Sequence, residues 1–267
     1  MSRFSRESLI AVLGRDSIEL RSLDRRTAVW DVRAQQPAHL SEPGMTDAGL
    51  EEALAGLLSQ HARAGASLST VVGDDHARYF IVEPPANARS VSDLRLAAGL
   101  RMEALFGDAV ADWTLDADWS ATRRFLACAV PSVVLSAVAG AIVTCKLRDA
   151  GVTTEFVASW RRHRRQMPKR QGWVAHVGRQ AVVLAACVDG HPSAISTMST
   201  ARPLSPDDLK MEIERCVLRW NLPAPTTVYL LGQVLAGADQ RIDWTNLVSV
   251  SREASAATTK ILLGKAA

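Results

Sequence analysis

Two short groups of acidic residues have the side chains that divalent cations bind. They are Asp74, Asp75 and His76 in the first group, and Asp112, Asp116 and Asp118 in the second. Carboxylate oxygens and imidazole nitrogens are common metal ligands in proteins. Neither group is accompanied by a second histidine at ligand spacing, and a turn or an edge strand explains each equally well. We therefore expect no metal site in either group.

A basic run follows a tryptophan in the middle of the chain. Its members are Arg161, Arg162, Arg164, Arg165, Lys169 and Arg170, directly after Trp160. Such a run can contact acidic lipid headgroups, an acidic tail of a partner protein, or nucleic acid. The simpler alternative is a solvated helix end, since cations are favourable near a helix C-terminus. Aromatic residues that could stack on bases are not interleaved in the run, so we expect no nucleic-acid partner.

The remaining reactive side chains do not indicate catalysis. The four cysteines, Cys128, Cys145, Cys187 and Cys216, contain no Cys-x-x-Cys pair, and we interpret them as reduced core residues. The sequence has no Gly-x-Ser-x-Gly, no P-loop and no dinucleotide-binding motif. A net charge of +3 is too small to indicate a nucleic-acid partner.

The composition is that of a globular protein. Of the 267 residues, 48% are hydrophobic and 22% are charged, and the length allows one large domain or two lobes. Residues 125–145 carry no charge and are about as long as a membrane span. Pro131 divides this segment, so we expect a buried strand followed by a core helix. The polar start of the chain has no signal-peptide pattern, and we expect a cytoplasmic protein.

The elements that must position these residues occur twice in one order: strand, strand, strand, helix, strand. The first copy is predicted as strands over 9–13, 17–23 and 27–32, a helix capped by Thr46, and a strand over 68–72. The second copy is predicted as strands over 173–177, 181–188 and 193–200, a helix capped by Ser205, and a strand over 227–231. The junctions match as well, with Leu-Gly-Arg-Asp at 13–16 and Val-Gly-Arg-Gln at 177–180.

The section between the copies mixes strands and helices. It is predicted as strands over 78–82, 111–115, 124–130 and 152–157, and helices over 94–106, 132–149 and 158–166, with Gly151 closing the second helix. We predict a first lobe over 1–170 with a small inserted subdomain at about 77–121, a second lobe over 171–250 and a tail over 251–267. Two β-β-β-α-β lobes indicate an α/β, actin-like (ribonuclease H-like) fold.

Several weak motifs follow one another along residues 9–237. They are the run 73–82, Leu105-Phe106-Gly107 followed by Trp113, residues 127–130 before a helix, the basic linker after Trp160, and 172–174 before the second set of strands. Their order resembles that of the actin-like platform proteins of type IV pili and type II secretion systems, the PilM-like and GspL-like proteins.

The resemblance implies a bilobal actin-like protein in the cytoplasm, peripherally associated with the inner membrane through partners. PilM-like members bind a short cytoplasmic tail of a membrane protein, and GspL-like members contact the secretion ATPase. The implied partner is an inner-membrane pilus or secretion assembly protein, with an assembly ATPase as a second candidate. The candidate partner contacts are Arg161, Arg162, Arg164 and Arg165. Because the chain lacks the membrane helix of a full GspL-like protein, we expect it to need a separate membrane partner.

Active actin-like ATPases hold phosphates in two hairpin loops with Asp-x-Gly, and hold adenosine on a glycine-rich turn. The carboxylates place Mg²⁺ and a water, and the glycines let backbone N–H groups approach the phosphates. Here the two loops read Val12-x-Gly14 and His176-x-Gly178, and the third turn, at Gly232, lacks paired glycines. We therefore predict degenerate loops, no catalytic residue and no cofactor.

Alternatives stay open at these loops. Asp16 could act as a displaced ligand, and ATP could bind without hydrolysis. His176 could be a ligand, a base or a hydrogen-bonded core residue, of which the last is the simplest. The prediction is a non-catalytic scaffold that acts through protein contacts. The alternatives are an actin-like protein that still binds ATP, or a basic adaptor that contacts the membrane surface through residues 160–170.

Overall fold

The computed structural model describes residues 7–24, 29–38, 47–163, 165, 171–200, 204–225, 227–232 and 247–249. This part of the chain forms two compact units. The first unit draws on Met1–Ala77 and Val130–Ala158, and the second on Arg78–Ala129 and Ser159–Arg252. Residues 78–129 therefore group with the second unit, and the lobe boundaries expected from the sequence stay a prediction.

Strands and helices are mixed throughout the described chain. The strands are β1 (Ser8–Leu13), β2 (Ser17–Asp24), β3 (Val29–Pro37), β4 (Ser67–Val72), β5 (Arg78–Val82), β6 (Trp113–Ala117), β7 (Phe125–Pro131), β8 (Arg148–Thr154), β9 (Gln171–Val177), β10 (Ala181–Val188), β11 (His191–Ser199), β12 (Val228–Gly232) and β13 (Leu247–Ser249). The helices are α1 (Asp47–His61), α2 (Val91–Phe106), α3 (Ser132–Thr144), α4 (Glu155–His163) and α5 (Pro206–Trp220), with short 3-10 turns at Asp74–His76 and Val110–Asp112.

The first unit is built on a five-stranded sheet with the order β3-β2-β1-β4-β8. Strands β1, β2 and β3 form an antiparallel meander, while β4 is parallel to both β1 and β8. Helix α1 buries Leu50, Leu54 and Leu58. It lies close to α3, because a Cβ at Gly140 would collide with the carboxyl group of Glu51. This carboxyl group ends a flexible side chain, so a larger residue at 140 would require Glu51 to move aside.

The second unit contains a sheet of the same design, with the order β11-β10-β9-β12-β13. Its first three strands are again an antiparallel meander, and β12 is parallel to β9 and β13. Helix α5 begins at a capping box between Ser205 and Asp208, and buries Leu209, Ile213 and Cys216. The strand–strand–strand–helix–strand repeat predicted from the sequence is therefore confirmed.

A three-stranded sheet, β5-β7-β6, and helix α2 also belong mainly to the second unit. Phe80 and Phe125 from the sheet pack with Leu94 and Met102 from α2. The helix starts at a capping box formed by Ser90. These contacts form a separate hydrophobic core.

The largest error in the predicted elements is the helix expected over 132–149. It ends at Thr144, because Lys146 adopts a left-handed φ of 53° and the N–H of Arg148 donates to the carbonyl of Ala66. Gly151 does not close a helix; it lies in β8 with a φ of 102°, beside a register shift opposite β4. The extended stretch expected over 152–157 therefore ends at Thr154.

Three smaller boundaries also differ from the expectation. Helix α4 begins at Glu155 rather than 158, and β6 begins at Trp113 because a 3-10 turn occupies 110–112. Strand β3 continues to Pro37, since Ser17 of β2 pairs with that residue. Thr46, the expected cap of α1, lies outside the described residues.

The uncharged segment 125–145 forms a strand and a helix, as predicted. Phe125 and Ala127 of β7 are buried, and α3 buries Val134, Ala137 and Val138. Among the described residues, no helix is long and apolar enough to cross a membrane.

Candidate functional site

The first loop, residues 14–16, is a tight turn between β1 and β2. The N–H of Gly14 donates to the carbonyl of Ser17 at 2.9 Å, and the N–H of Ala38 donates to the carbonyl of Asp16 at 3.0 Å. The side chain of Asp16 is exposed. The turn is thus held from both sides by backbone hydrogen bonds, which do not depend on the side chains.

The second loop, residues 178–180, repeats this geometry between β9 and β10. The N–H of Gly178 donates to the carbonyl of Ala181 at 2.9 Å, and the N–H of Thr200 donates to the carbonyl of Gln180 at 2.8 Å. Each of these backbone hydrogen bonds joins the same positions of the meander as the corresponding bond in the first loop. The two predicted phosphate loops are therefore equivalent turns, each in its own unit.

Neither loop is preceded by a carboxylate at the aspartate position. In the first unit this place is taken by Val12, which is buried in β1. In the second unit it is taken by His176, which is 3% exposed. The His176 Nε2 lies 3.0 Å from the Ser159 hydroxyl of α4, so the imidazole is held in the core by a hydrogen bond. Neither side chain offers the anionic oxygen that Mg²⁺ prefers.

The hydrogen bonds at His176 continue along α4 to a second histidine. His163 places its Nδ1 3.0 Å from the carbonyl oxygen of Ser159. Its Nε2 is buried, and no hydrogen-bond partner for it lies within the described ranges. Burial lowers the pKa of His163, and the hydrogen bond to the Ser159 carbonyl offsets this lowering only in part. This histidine is thus held neutral in the second unit.

The group Asp74, Asp75 and His76 lies beside the first loop. Asp74 is 1% exposed, and its Oδ1 accepts a hydrogen bond of 2.9 Å from the N–H of Phe156 in the first turn of α4. The Asp75 Oδ2 lies 3.5 Å from the His76 Nε2. Burial raises the pKa of Asp75 and lowers the pKa of His76. Asp74 therefore anchors the start of α4, while Asp75 and His76 lie close to each other in the turn after β4.

Where the structure describes side chains, no three histidine, cysteine, aspartate or glutamate residues come close enough to hold an ion. Asp112, Asp116 and Asp118, the second acidic group, are all exposed.

The predicted adenosine turn begins at a constrained glycine. Gly232 ends β12 with a φ of 85°, and a Cβ there would collide with the carbonyl oxygen of Val177. It would also lie 3.1 Å from the His176 Nε2. Gln233 and Val234, the next two residues of the turn, lie outside the described residues. The glycine thus allows β12 to pass close to the second loop.

The predicted partner contacts lie at the end of α4 and beyond. Arg161 and Arg162 are exposed in the last turn of α4, and Arg165 is exposed as well. Arg164 lies outside the described residues. The helix therefore presents cations to solvent at the end where the macrodipole is negative.

The cysteines divide into two pairs by burial. Cys187 and Cys216 are buried, whereas Cys128 and Cys145 are half-buried, and all four are free. Burial raises the pKa of Cys187 to about 12 and that of Cys216 to about 11. The expectation that all four are core residues is thus met in full only by the first pair.

Comparison with solved structures identifies the arrangement of the sheets and loops. A protein from Bacteroides thetaiotaomicron with an actin-like ATPase fold and unknown function aligns with a TM-score of 0.57 at 8% identity, over 90% of this chain and 88% of that chain. The chain has the actin-like fold. A structure of a PilM–PilN type IV pilus biogenesis complex aligns with a TM-score of 0.61 at 15% identity. The alignment covers 91% of this chain and 88% of the matched chain of that complex.

A third similar structure belongs to type II secretion. The cytoplasmic domain of EpsL, an inner membrane component of the type II secretion system of Vibrio cholerae, aligns with a TM-score of 0.52 at 12% identity, over 86% of each chain. No protein-family model and no curated protein matches the sequence. Structure neighbours of the actin-like chain thus include both types of platform protein that its motif order resembles.

The sequence interpretation missed the partners of these residues. The sequence predicts only a helix around Ser159 and His163, and only a turn at Asp74. Their distances along the chain explain this: His176 is 17 residues from Ser159, and Phe156 is 82 residues from Asp74. The available signal was the i, i+4 spacing of Ser159 and His163, which puts both on one face of α4.

Proposed function

We propose that this actin-like chain is a non-catalytic scaffold in an inner-membrane assembly platform, of the type IV pilus or type II secretion kind. It lies in the cytoplasm and reaches the membrane through protein partners. Two similar structures are components of such systems, which supports the assignment. The observation that carries it is that both hairpin loops keep their backbone hydrogen bonds while Val12 and His176 stand at the aspartate positions.

The chemistry of phosphoryl transfer explains why this observation matters. Transfer depends on positioning and on neutralising charge with a metal ion, and the protein contributes little else. An apolar Val12 cannot ligate Mg²⁺. The imidazole of His176 is held by Ser159 in the core, where a divalent cation would add unpaired buried charge. The loops are therefore suited to holding the fold rather than nucleotide.

Calorimetry with ATP and Mg²⁺ tests the non-catalytic part of the proposal. We expect no binding heat from the full chain at micromolar to millimolar nucleotide, and no release of phosphate. An active actin-like ATPase measured in the same buffer provides the positive control. Micromolar binding would contradict the scaffold-only proposal and favour an ATP-binding platform protein.

Affinity purification from native cells tests the platform part of the proposal. We expect an inner-membrane pilus or secretion assembly protein to co-purify with the tagged chain. The recovered protein should then bind the purified chain through a synthetic peptide of its cytoplasmic segment. Recovery of only metabolic enzymes, with no assembly protein, would contradict the proposal.

A basic adaptor is the second candidate function, and the exposed cations of α4 favour it. Replacing Arg161, Arg162, Arg164 and Arg165 with alanine should abolish sedimentation with vesicles that contain anionic phosphatidylglycerol, if the run contacts headgroups. The matched control replaces exposed Arg123 and Lys210 with alanine, and should sediment as the unmodified chain does. If the unmodified chain, the four-arginine variant and the control variant all sediment equally, the basic run is a solvated helix end and not a membrane contact.

A further inference from the structure

Helix α2 carries more exposed large apolar side chains than any other described element. They are Val91, Leu96, Leu100, Leu105 and Phe106. Leu96 and Leu100 are 66% and 60% exposed, and they lie four residues apart on one face. We propose that the outward face of α2 is a docking surface for a basic amphipathic helix of a partner protein. The face is formed by Leu96, Leu100 and Ala104, with the carboxylates of Asp93 and Glu103 beside them.

The outward leucines are not needed to hold α2 in place. The opposite face of the helix buries Leu94, Ala98 and Met102 against the three-stranded sheet. Both ends are closed independently, by the Ser90 capping box and by Gly107, which has a left-handed φ of 73°. Leu96 and Leu100 therefore expose apolar surface without contributing to the core, which is the arrangement expected of an interaction site.

Two carboxylates flank the apolar stripe. At 100° per residue, Asp93 and Glu103 fall on the half of α2 that faces away from Ala98, together with Leu96 and Leu100. They are separated by about 15 Å along the helix axis, from a rise of about 1.5 Å per residue. Hydrogen bonds from the backbone N–H groups of residues 89 and 90 lower the pKa of Asp93, so that this carboxylate is ionised at neutral pH. The face thus presents an apolar centre with a negative charge at each end.

Two of the arginines near α2 lie over aromatic rings away from the outward face. The guanidinium of Arg95 lies 5.7 Å from the ring centre of Trp119, which packs on the sheet side of the helix. The guanidinium of Arg78 lies 5.4 Å and 5.3 Å from the ring centres of Phe106 and Trp113. Arg101 falls on the flank between the buried and outward faces. Among the ionisable side chains of α2 itself, only those of Asp93 and Glu103 therefore fall on the outward half.

The negative charge of these two side chains selects the occupant. A basic amphipathic helix can place an apolar stripe on Leu96 and Leu100 and a lysine or arginine near each carboxylate. A second copy of the chain fits less well, because like charges would face each other. Antiparallel pairing about the two leucines places Asp93 opposite Glu103 of the copy. Parallel pairing places each acid opposite the same acid of the copy. An anionic membrane surface would be repelled by both acids.

This docking surface would serve the proposed scaffold role. It rests on that role in one respect, namely that the ligand is a protein. A direct test titrates the full-length chain with a fluorescent synthetic helix of about 18 residues, leucines on one face and lysines on the other. A matched peptide carries glutamate in place of each lysine. We expect the lysine peptide to bind at least about tenfold more tightly than the glutamate peptide at low salt.

Variants of the chain locate the bound peptide. Leu96→Gln with Leu100→Gln should weaken binding of the lysine peptide by about tenfold or more, since buried apolar anchors dominate such interfaces. Glu103→Gln should weaken it by about threefold, and added salt should reduce that difference. The control is Leu218→Gln on α5, where the leucine is 81% exposed and belongs to a different face. It should leave the affinity unchanged.

The proposal is overturned if both peptides bind equally, if the double glutamine variant binds as the unmodified chain does, or if Leu218→Gln weakens binding as much. Unchanged circular dichroism and Tm establish that each variant is folded, because the replaced side chains are exposed. Failure of this titration leaves the nucleotide and co-purification results untouched, so the surface and the scaffold role can fail separately.

Discussion

The loops after β1 and β9 have the same backbone and different supports. In each, a glycine N–H closes the turn at 2.9 Å. The first loop has apolar Val12 in the strand before it, and the buried pair Asp75 and His76 beside it. The second has His176 bonded to Ser159. Hairpin geometry comes from backbone groups that every residue carries, whereas metal chemistry comes from side chains, so the shape of a loop can persist after its ligands are replaced.

A second difference lies on the parallel strand next to each loop. Val72 of β4 pairs with Leu13 in the first unit, whereas Gly232 of β12 pairs with Val177 in the second. The first unit accommodates a branched side chain at this register position. The second does not, because the carbonyl of Val177 occupies the space.

Gly232→Ala should have the largest effect on stability. We expect a loss of more than about 2 kcal/mol in the free energy of unfolding, because the new methyl group meets backbone and the φ of 85° is unfavourable for alanine. Urea unfolding followed by circular dichroism measures the loss. Gly65→Ala is the control, since its φ is 79° but a Cβ there meets no atom within 4 Å. Equal losses from the two variants would show that the turn at Gly232 is not crowded.

In the first unit, Asp74→Ala should have the next largest effect. It leaves the buried N–H of Phe156 without its acceptor, which costs about 2 kcal/mol. Asp74→Asn keeps an oxygen at this place and should lose less. The same urea titration measures both variants. If alanine and asparagine are equally destabilising, the hydrogen bond to α4 is not the source of the effect.

The pH dependence of stability should contain contributions from buried histidines in both units. The folded-state pKa of His163 is lowered by burial, so the unfolded chain binds more protons below about pH 6.5 and stability falls as the pH falls through this range. The limit is about 1.4 kcal/mol per pH unit for one histidine. In the first unit, His76 acts in the same direction. The raised pKa of its neighbour Asp75 acts oppositely, since that stability is lost as the pH rises through the folded value.

His163→Asn tests the contribution of His163 to the pH dependence of stability. The asparagine amide can still donate to the Ser159 carbonyl, but it does not titrate. Urea unfolding between pH 5 and 7.5 should show a smaller slope for the variant. The unmodified chain, measured in the same buffers, is the control. An unchanged slope in His163→Asn would assign the pH dependence to other groups.

The last difference between the units concerns the rates at which the cysteine thiols are labelled, and it involves no change in stability. Cys187 and Cys216, both in the second unit, are shielded and have raised pKa values, so alkylation at pH 8 should be slow until the protein unfolds. Cys145 in the first unit is half-buried and should react sooner. Mass spectrometry of timed samples gives the order. Labelling of Cys187 as fast as Cys145 would contradict it.

Local signals predicted the second unit well. An Asp-Gly pair, as at 189–190, is typical of a tight hairpin turn, and both residues have the left-handed φ values, 52° and 75°, that such a turn requires. Ser205 was assigned to a helix cap, and it forms the capping box of α5. In these places the deciding contacts lie within a few residues along the chain.

Long-range contacts account for the errors. The apolar pattern of α3 continues past Thr144, yet Arg148 pairs with Ala66, some eighty residues earlier, and the chain becomes a strand. For the candidate site, the repeat located both loops and the side chains that replace the aspartates. It could not show that Ser159 and Phe156 bind to His176 and Asp74, because only the tertiary fold brings those residues together.

Strand β8 lies at an edge of the first sheet, where unpaired backbone groups invite another strand to add. Its outer residues are largely exposed, and it carries Arg148 and Asp149 as well as the register shift at Gly151. Charged side chains and an irregular backbone both oppose the addition of a neighbouring strand. The glycine that was expected to stop a helix thus lies in a bulge that disfavours strand addition at this edge of the described sheet.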